Sequence, residues 1–376
     1  MCSPFEMQHV EKELDGLDSI LRKLDGEIRI VMEATGIYHL PVLTYLTEKG
    51  YFVSVVNPFV MKSFAKDNNF RGAKTDKLDS VMIANYGIEK WFKLQKYEGA
   101  EEVYAELKLL GRRYRYYMEL HAKALQELTH ILDYVMPGIK KKFNSWNESS
   151  NKDKLSDFVE KFWHYDVITS MGLEKFKDEY LLWAKEKKYH RSISKAEEVY
   201  ELASGGIPTL SSSTPSTKML VQEAVSVLRA IDSSLATILA RMQVLAKSLP
   251  EYSTVREMGG VGDVLAPKLI AEIGDVRKLH SAKALIACAG IDPPPYESGQ
   301  FVGTNRRMTK RGSSTLRKVG YEVMRVLKSH PAPKDAAVYN YIIKKENEGK
   351  CKKHAKIAGL NKFLRIYYAR VTAVYK

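Results

Sequence analysis

The sequence contains few cysteines and no long apolar stretch. The three cysteines, Cys2, Cys288 and Cys351, are odd in number and lie far apart in 376 residues. They therefore offer neither a disulfide framework nor a CxxC metal pair. The longest apolar runs, such as residues 28–32 and 51–56, fall far short of the roughly 20 residues that a membrane helix needs. Residues 1–4 do not have the pattern of a signal peptide, so we expect none. We therefore expect a protein of the reducing cytoplasm that has no membrane partner.

The composition is that of an ordinary globular protein with a positive charge. Hydrophobic residues make up 45% and charged residues 28%, which excludes wholesale disorder, and the length suggests two or three domains. Lys and Arg number 59 against 45 Asp and Glu, so the formal net charge is +14. A polyanion is the natural partner of such a chain, although a basic enzyme with a solvated surface is the alternative.

The basic residues occur in clusters. One cluster lies at 112–117 and another at 306–311, and further lysine runs lie at 140–142 and 352–353. The first two clusters mix cations with aromatic or small hydroxyl residues, a combination that contacts phosphates and stacks on bases. The candidate nucleic-acid-binding residues in them are Arg112, Arg113, Arg115, Arg306, Arg307, Lys310 and Arg311.

The N-terminal part alternates between strand and helix patterns. A β-branched run that ends at Glu33 is followed by an amphipathic helix over 40–49 and by an apolar strand over 51–56, which Asn57 ends. This βαβ order predicts an α/β sheet, whose ligands bind at the carboxyl ends of the strands. Glu33 and Asn57 are therefore candidate site positions.

Two further acids follow at helical spacing. Thr75 or Asp76 is the expected N-cap of a helix that continues to about Asn85, which places Asp76 and Asp79 on one helical face. Carboxylates from several elements that converge on one point can hold a pair of Mg²⁺ ions. Glu33, Asp76 and Asp79 are thus candidate metal ligands and catalytic residues. The alternative is that Asp76 caps its helix and Asp79 is a solvated first-turn acid.

Two long helical patterns lie in the middle of the chain. They cover about 101–134 and 217–249, with apolar residues mostly three or four residues apart in the second. Two such helices can pair as an antiparallel coiled coil, and their length is compatible with self-association. Packing within one chain is the commoner use of leucine-rich helices.

A glycine-rich segment lies between two short helical patterns after residue 250. Gly259, Gly260 and Gly262 predict a helix-hairpin-helix whose free amides face a phosphate, although a plain turn between helices accounts for the same glycines. Neither a Walker loop nor a dinucleotide fingerprint matches this segment.

Ser298 is a candidate nucleophile. Gly299 follows it, so its hydroxyl can lie on a tight and open backbone. The alternative is an ordinary turn serine. No adjacent histidine activates it, so a base or a metal must come from elsewhere in the fold.

Four of these segments together resemble a known family. Residues 31–36 (VMEATG), 53–58 (VSVVNP), 74–79 (KTDKLD) and the Ser298–Gly299 pair resemble, in this order, the Piv/MooV type of DEDD transposase, the bridge-RNA-associated recombinases of insertion sequences.

The resemblance implies four segments with distinct folds. These are an α/β RuvC-like (RNase H-like) DEDD domain over 1–98, a coiled-coil and helical insertion over 99–250, a mainly α serine-containing transposase domain with a helix-hairpin-helix over 251–340, and a basic helical tail over 341–376.

The resemblance also implies a function and partners. Acids that bind Mg²⁺ and a serine nucleophile, Ser298, together cut and rejoin DNA, with Ser313 and Ser314 as the other candidate serines. The implied partners are the DNA of the element ends and target, a guide (bridge) RNA, and further copies of the chain in a dimer or tetramer.

The sequence departs from the family pattern at its start. The first strand of the family carries an Asp, and residues 1–6 of this sequence resemble the segment after that strand. Asp15, Asp18 and Asp25 lie on a predicted helix or at its exit and do not replace it. We therefore expect three of the four acids and an incomplete first domain, as in a misassigned reading frame or a decayed copy. The alternatives to an active transposase are a remnant that only binds nucleic acid and a RuvC-like structure-selective nuclease.

Overall fold

The chain divides into two units, each built mainly around α-helices. The computed structural model describes residues 3–34, 36–67, 75–97, 99, 101–143, 153–293, 297–298, 301–302 and 307–376. The first unit is Met1–Gly99 and the second is Ala100–Lys376. None of the helices within these described ranges is both long and apolar enough to cross a membrane.

The first unit contains a parallel pair of strands. Its elements are α1 (Glu11–Leu21), β1 (Arg29–Glu33), α2 (Leu40–Glu48), β2 (Phe52–Val56), α3 (Pro58–Asp67), α4 (Asp76–Glu89) and a 3₁₀ turn (Trp91–Lys93). β1 and β2 pair in parallel from Arg29 opposite Phe52 to Glu33 opposite Val56. The predicted βαβ order is confirmed, because α2 connects two parallel strands.

The packing of α1 accounts for the aspartates near the start of the chain. Leu43, Leu46 and Val53 form a small buried cluster against which α1 packs. Tyr51 donates its hydroxyl to Asp18 Oδ1 at 2.6 Å, and this hydrogen bond lowers the pKa of the Asp18 carboxyl. Asp15 accepts a hydrogen bond from the Tyr45 hydroxyl. Both aspartates therefore have structural partners inside this unit.

The second unit is built from twelve helices and one short hairpin within the described residues. The elements before residue 250 are α5 (Glu102–Val135), α6 (Lys154–Lys161), α7 (Tyr165–Thr169), α8 (Leu173–Glu186), α9 (Ile193–Gly205) and α10 (Pro215–Lys247). Those after it are α11 (Tyr252–Arg256), α12 (Leu265–Ile273), α13 (Ala282–Ala289), β3 (Glu297–Ser298), β4 (Phe301–Val302), α14 (Ser314–Ser329), α15 (Ala336–Asn347) and α16 (Lys352–Val374). Three 3₁₀ turns join them, at Ile139–Lys142, Val276–Lys278 and Pro333–Asp335.

The two long helices pack against each other in opposite directions. Arg241 Nε of α10 lies 2.8 Å from Glu106 Oε1 near the start of α5, and His121 Nε2 lies 3.2 Å from Asp232 Oδ1 near the middle. The buried positions of α5 include a run at every seventh residue: Leu107, Tyr114, His121, Leu128 and Val135. In α10 most buried positions alternate at steps of three and four. This is the spacing of a coiled-coil seam; coiled-coil geometry itself stays a prediction.

Two hydrophobic cores lie along this helix pair. One core joins the C-terminal end of α5 and the N-terminal end of α10 to α6–α9. It is rich in aromatic rings, including Phe158, Tyr180 and Trp183. The other joins the opposite ends of the pair to α11–α16. Residues on both sides of 250 and of 340 contribute to this second core, and the predicted domain boundaries stay predictions.

A buried carboxylate ties the last residues of the chain to this second core. Glu251 is 1% exposed and accepts hydrogen bonds from the Tyr104 hydroxyl at 2.6 Å and from the Tyr375 hydroxyl. Burial, together with the hydrogen bond to Glu251, raises the pKa of Tyr375 to about 12. The end of α16 is thereby fixed against the start of α5.

The buried pair of His121 and Asp232 gives a stability test. Asp232→Ala removes the carboxylate that faces a buried imidazole, so we expect the free energy of unfolding to fall by about 1–3 kcal/mol. The double variant His121→Leu/Asp232→Leu replaces both groups by apolar ones and should lie within about 1 kcal/mol of the wild type. Urea unfolding followed by circular dichroism measures both. Equal losses in the single and double variants would contradict the pairing.

Candidate functional site

Glu33 lies at the carboxyl end of the parallel strand pair. It is the last residue of β1 and stands opposite Val56, the last residue of β2. The Ala34 amide donates to the Val56 carbonyl oxygen at 2.9 Å and extends the ladder by one bond. Glu33 is half-buried. Asn57, the other predicted strand-end position, uses its Oδ1 to accept from the Phe59 amide at 2.8 Å, so it stabilises the start of α3.

Asp76 and Asp79 lie in the first turn of α4. Thr75 is the N-cap, because its Oγ1 accepts from the Leu78 amide at 3.3 Å. The alternative in which Asp76 caps the helix is therefore wrong. Asp76 is exposed and Asp79 is half-buried. Both carboxylates lie at the positive end of the helix dipole, where negative charge is favourable.

The helix that carries these two acids packs on the strand that carries Glu33. A Cβ added to Gly87 of α4 would lie 3.0 Å from Val31 Cγ2 of β1, so the two elements approach closely. Among the described residues, however, no group of three or more His, Cys, Asp and Glu side chains is arranged to hold a metal ion. The oxygen ligands suit a hard divalent cation in their chemistry, and the structure does not gather the three of them at one point.

Ser298 lies in a two-residue strand. It belongs to β3 and pairs with Phe301 of β4 in an antiparallel hairpin. Its side chain and the adjoining Gly299 lie outside the described residues, so its role as nucleophile stays a prediction.

Ser313, one of the two other candidate serines, already has hydrogen-bond partners. Its Oγ accepts from the Leu316 amide at 3.1 Å as the N-cap of α14 and donates to Glu272 Oε2 at 3.0 Å. Ser314 is the first residue of the same helix. A capping role therefore accounts for Ser313, and the choice of nucleophile between Ser298 and Ser314 stays a prediction.

The basic segment before α14 is held against the end of α13 by backbone hydrogen bonds. The Lys310 amide donates to the Gly290 carbonyl oxygen at 2.9 Å, and the Ser313 amide donates to the Cys288 carbonyl oxygen at 2.7 Å. Gly312 lies so close to α13 that an added Cβ would be 2.2 Å from the Cys288 oxygen. The backbone of this segment is thus fixed.

The side chains of this segment point to the surface. Arg307, Lys310 and Arg311 are exposed, and Lys310 adopts a positive φ of 56°. Arg306 lies outside the described residues. Three of the four predicted cations are therefore displayed from a fixed backbone.

The predicted cluster on α5 lies beside the start of α14. Arg112, Arg113 and Arg115 are exposed. Arg115 Nη1 donates to Thr315 Oγ1 at 2.6 Å, and its Nε lies 3.0 Å from Glu119 Oε1. Since Thr315 lies two residues after the 307–313 segment, the contact brings together the two basic clusters that the sequence placed about 200 residues apart.

The glycine-rich segment packs against α14. A Cβ on Gly260, where φ is +80°, would lie 2.6 Å from the Val323 carbonyl oxygen, and the Gly259 amide donates to Asp335 Oδ2 at 3.1 Å. Close approach accounts for these two glycines, as in the plain-turn alternative. Nothing lies within 4 Å of a Cβ at Gly262, so Gly262 stays the open candidate for a phosphate contact.

Sequence reasoning missed Asp335. Its carboxylate accepts a hydrogen bond from the Gly259 amide. It also accepts hydrogen bonds from Nη1 and Nη2 of Arg370, each at 3.0 Å. It thereby connects the glycine segment, α15 and α16. No local pattern marks this residue, because its partners lie 76 and 35 positions away.

Comparison with known proteins identifies the class of protein. A DEDD transposase family model of the IS110 type matches residues 3–137, and a model described as "Transposase IS116/IS110/IS902 family" matches residues 252–340. The pilin gene-inverting proteins of Moraxella lacunata and Moraxella bovis are each 22% identical to the chain over 342 residues, which cover 91% of this chain and 79% of the relative.

Models of IS110-type transposases thus match both parts of the chain, residues 3–137 and 252–340, and the chain is a DNA transposase or recombinase. The predicted resemblance to DEDD transposases is confirmed. Transposase domains of the DEDD type generally use divalent metal ions, and the matched segment contains Glu33, Asp76 and Asp79.

Gly260 and Gly262 give a matched pair of variants. Gly260→Ala combines a positive φ with a clash against the α14 backbone, so we expect the free energy of unfolding to fall by about 2–4 kcal/mol. Gly262→Ala meets open space and should change it by less than about 0.5 kcal/mol. Thermal and urea unfolding measure both. Similar losses in the two variants would show that the close packing on α14 is wrongly described.

Proposed function

We propose that the protein cuts and rejoins the DNA of an insertion sequence with Ser298 as nucleophile and with Mg²⁺ held by Glu33, Asp76 and Asp79. The observation that supports this most is the placement of the three acids. They lie at the carboxyl end of β1 and in the first turn of α4, a helix packed on that strand, inside the segment that matches the DEDD transposase model.

Bound Mg²⁺ supplies a Lewis acid that stabilises negative charge on a phosphate. The remaining chemistry belongs to the chain. The Ser298 hydroxyl loses its proton and forms an ester bond to a DNA phosphorus atom, while the bond from that phosphorus to a deoxyribose oxygen breaks and this oxygen takes up a proton. Because one phosphodiester bond replaces another, the reverse step can rejoin DNA without an external energy source.

The exposed cations of the second unit are the proposed DNA contacts. Arg115 joins the cluster on α5 to the segment that displays Arg307, Lys310 and Arg311. Gly262 adds an amide in an open turn. Contacts of these kinds bind the phosphate backbone, so affinity should fall steeply with salt.

A guide RNA and further copies of the chain complete the proposal. The formal net charge of +14 is compatible with two nucleic-acid partners. Assembly into a dimer or tetramer would bring two element ends together. The coiled-coil geometry of α5 and α10 and the helix-hairpin-helix about Gly262 belong to the same proposal.

A second candidate is a protein that binds nucleic acid without cutting it. It is favoured by the absence, among the described residues, of three acids gathered at one point. The family pattern has four acids, and this proposal uses three. The two candidates differ in cleavage and agree in binding.

The acids give the first test. Glu33→Gln and Asp76→Asn should each lower strand cleavage at least about 100-fold and leave DNA binding unchanged, because each removes a charge that holds the metal. The exposed acids Glu48 and Asp67 supply matched controls, Glu48→Gln and Asp67→Asn. Cleavage of labelled DNA that carries the element ends is measured with Mg²⁺. Unchanged cleavage in both site variants contradicts the metal assignment, and no cleavage by the wild type favours the binding-only candidate.

Ser298 gives the second test. Ser298→Ala should eliminate the covalent protein–DNA adduct that remains on a denaturing gel. Ser313→Ala should keep the adduct and lose only about 0.5–2 kcal/mol of stability, since it removes an N-cap. An adduct that persists in Ser298→Ala and disappears in Ser313→Ala moves the nucleophile to Ser313. Cleavage of branched DNA without any adduct indicates a structure-selective nuclease.

A further inference from the structure

Three lysines lie over two tyrosine rings at the end of the second unit. Lys345 Nζ and Lys362 Nζ lie 5.4 Å and 5.0 Å from the centre of the Tyr341 ring. Lys356 Nζ lies 5.5 Å from the centre of the Tyr321 ring. The rings come from α14 and α15 and the lysines from α15 and α16, so the arrangement depends on how three helices pack. These five residues are called the lysine–tyrosine surface.

The segment that supplies this surface is strongly basic. Residues 341–376, beyond the end of the second family match, contain ten Lys and Arg and two Glu. Both glutamates already have partners, since Glu346 pairs with Lys328 and Glu348 lies 2.6 Å from Lys345. α16 contains no acidic residue, and its first turn carries Lys352 and Lys353, both exposed.

This distribution has an electrostatic cost. Cations in a first helical turn oppose the helix dipole, and like charges close together repel each other. A solvated surface needs neither feature. α8, for example, carries Glu174, Asp178, Glu179 and Glu186 among its lysines. The positive potential on α16 is therefore unfavourable for the free protein and becomes favourable beside a polyanion.

Close packing of the helices fixes the lysines in place. A Cβ on Gly359 would lie 2.4 Å from Ile342 Cγ1, and one on Gly320 would lie 2.5 Å from Leu360 Cδ1. α16 is thus held directly against α15 and α14. The tyrosine faces attract the ammonium groups and restrict their side chains, which lowers the entropy cost of ordering them on a ligand.

We propose that the lysine–tyrosine surface binds the phosphate backbone of a nucleic acid. The inference rests on the proposed function in one respect, the nature of the polyanion as DNA or RNA. It does not depend on the metal ligands or on Ser298. DNA and RNA both present backbone phosphates, and parallel measurements with duplex DNA and single-stranded RNA distinguish them.

The test removes two positive charges and keeps a polar, unbranched side chain at each position. Lys356→Gln/Lys362→Gln changes the surface, and Lys175→Gln/Lys185→Gln removes the same charge from exposed positions of the acid-rich α8. Binding of full-length protein to generic duplex DNA and to single-stranded RNA, each of roughly 30 units, is followed by fluorescence anisotropy in EDTA over a range of salt concentrations. Thermal unfolding of both variants checks that they fold.

We expect the surface variant to bind at least one polymer about 10-fold or more weakly at about 0.15 M salt. Its slope of log affinity against log salt should be smaller by nearly 2 for DNA, because each lost phosphate contact contributes about 0.9. The α8 variant should change affinity less than about 2-fold. A loss with one polymer alone assigns the surface to that polymer.

Equal affinities of the two double variants for both polymers would overturn this inference. If the wild type binds nucleic acid in that experiment, the proposed function is unaffected. A wild-type protein that binds neither polymer contradicts the proposed function together with the inference. Loss of cleavage in the acid or serine variants bears on the proposed function alone, because binding in EDTA needs no catalysis.

Discussion

The antiparallel packing of α5 against α10 is the constraint on which the second unit depends. These helices have 34 and 33 residues, and neither buries its apolar face without the other. Each end of the pair supplies one wall of a hydrophobic core, one shared with α6–α9 and the other with α11–α16. The His121–Asp232 pair lies near the middle, where a register shift would separate two buried polar groups. The register in turn sets where the arginines of α5 meet α14.

Close backbone contacts position the functional surfaces on this frame. Gly260 lets the glycine segment approach α14, Gly312 lets the basic segment approach α13, and Gly359 lets α16 approach α15. At each point a side chain would meet its neighbour at 2.6 Å or less. The backbones that carry the basic segment and α16 are therefore fixed by close packing.

Local patterns predicted much of the fold and only part of the site. The two long helices and the strand-helix-strand order about Glu33 follow from hydrophobic periodicity, which a sequence displays directly. Thr75 and Asp76 were equally good N-caps by sequence, and only the hydrogen bond to Leu78 separates them. The partners of Glu251 and Asp335 lie too far along the chain for any local pattern to show. The gathering of acids at one point is likewise a tertiary property that spacing does not determine.

The central claim is that this transposase cuts DNA through a serine of its second unit. The most direct measurement maps the adduct itself. Wild-type protein is incubated with Mg²⁺ and DNA that carries the flanks of its own reading frame, then denatured and digested with nuclease and protease, and the nucleotide-bearing peptide is sequenced by mass spectrometry. The account predicts a nucleotide attached to Ser298 that forms only when metal is present. A nucleotide on another residue, or cut DNA with no modified peptide, would contradict it.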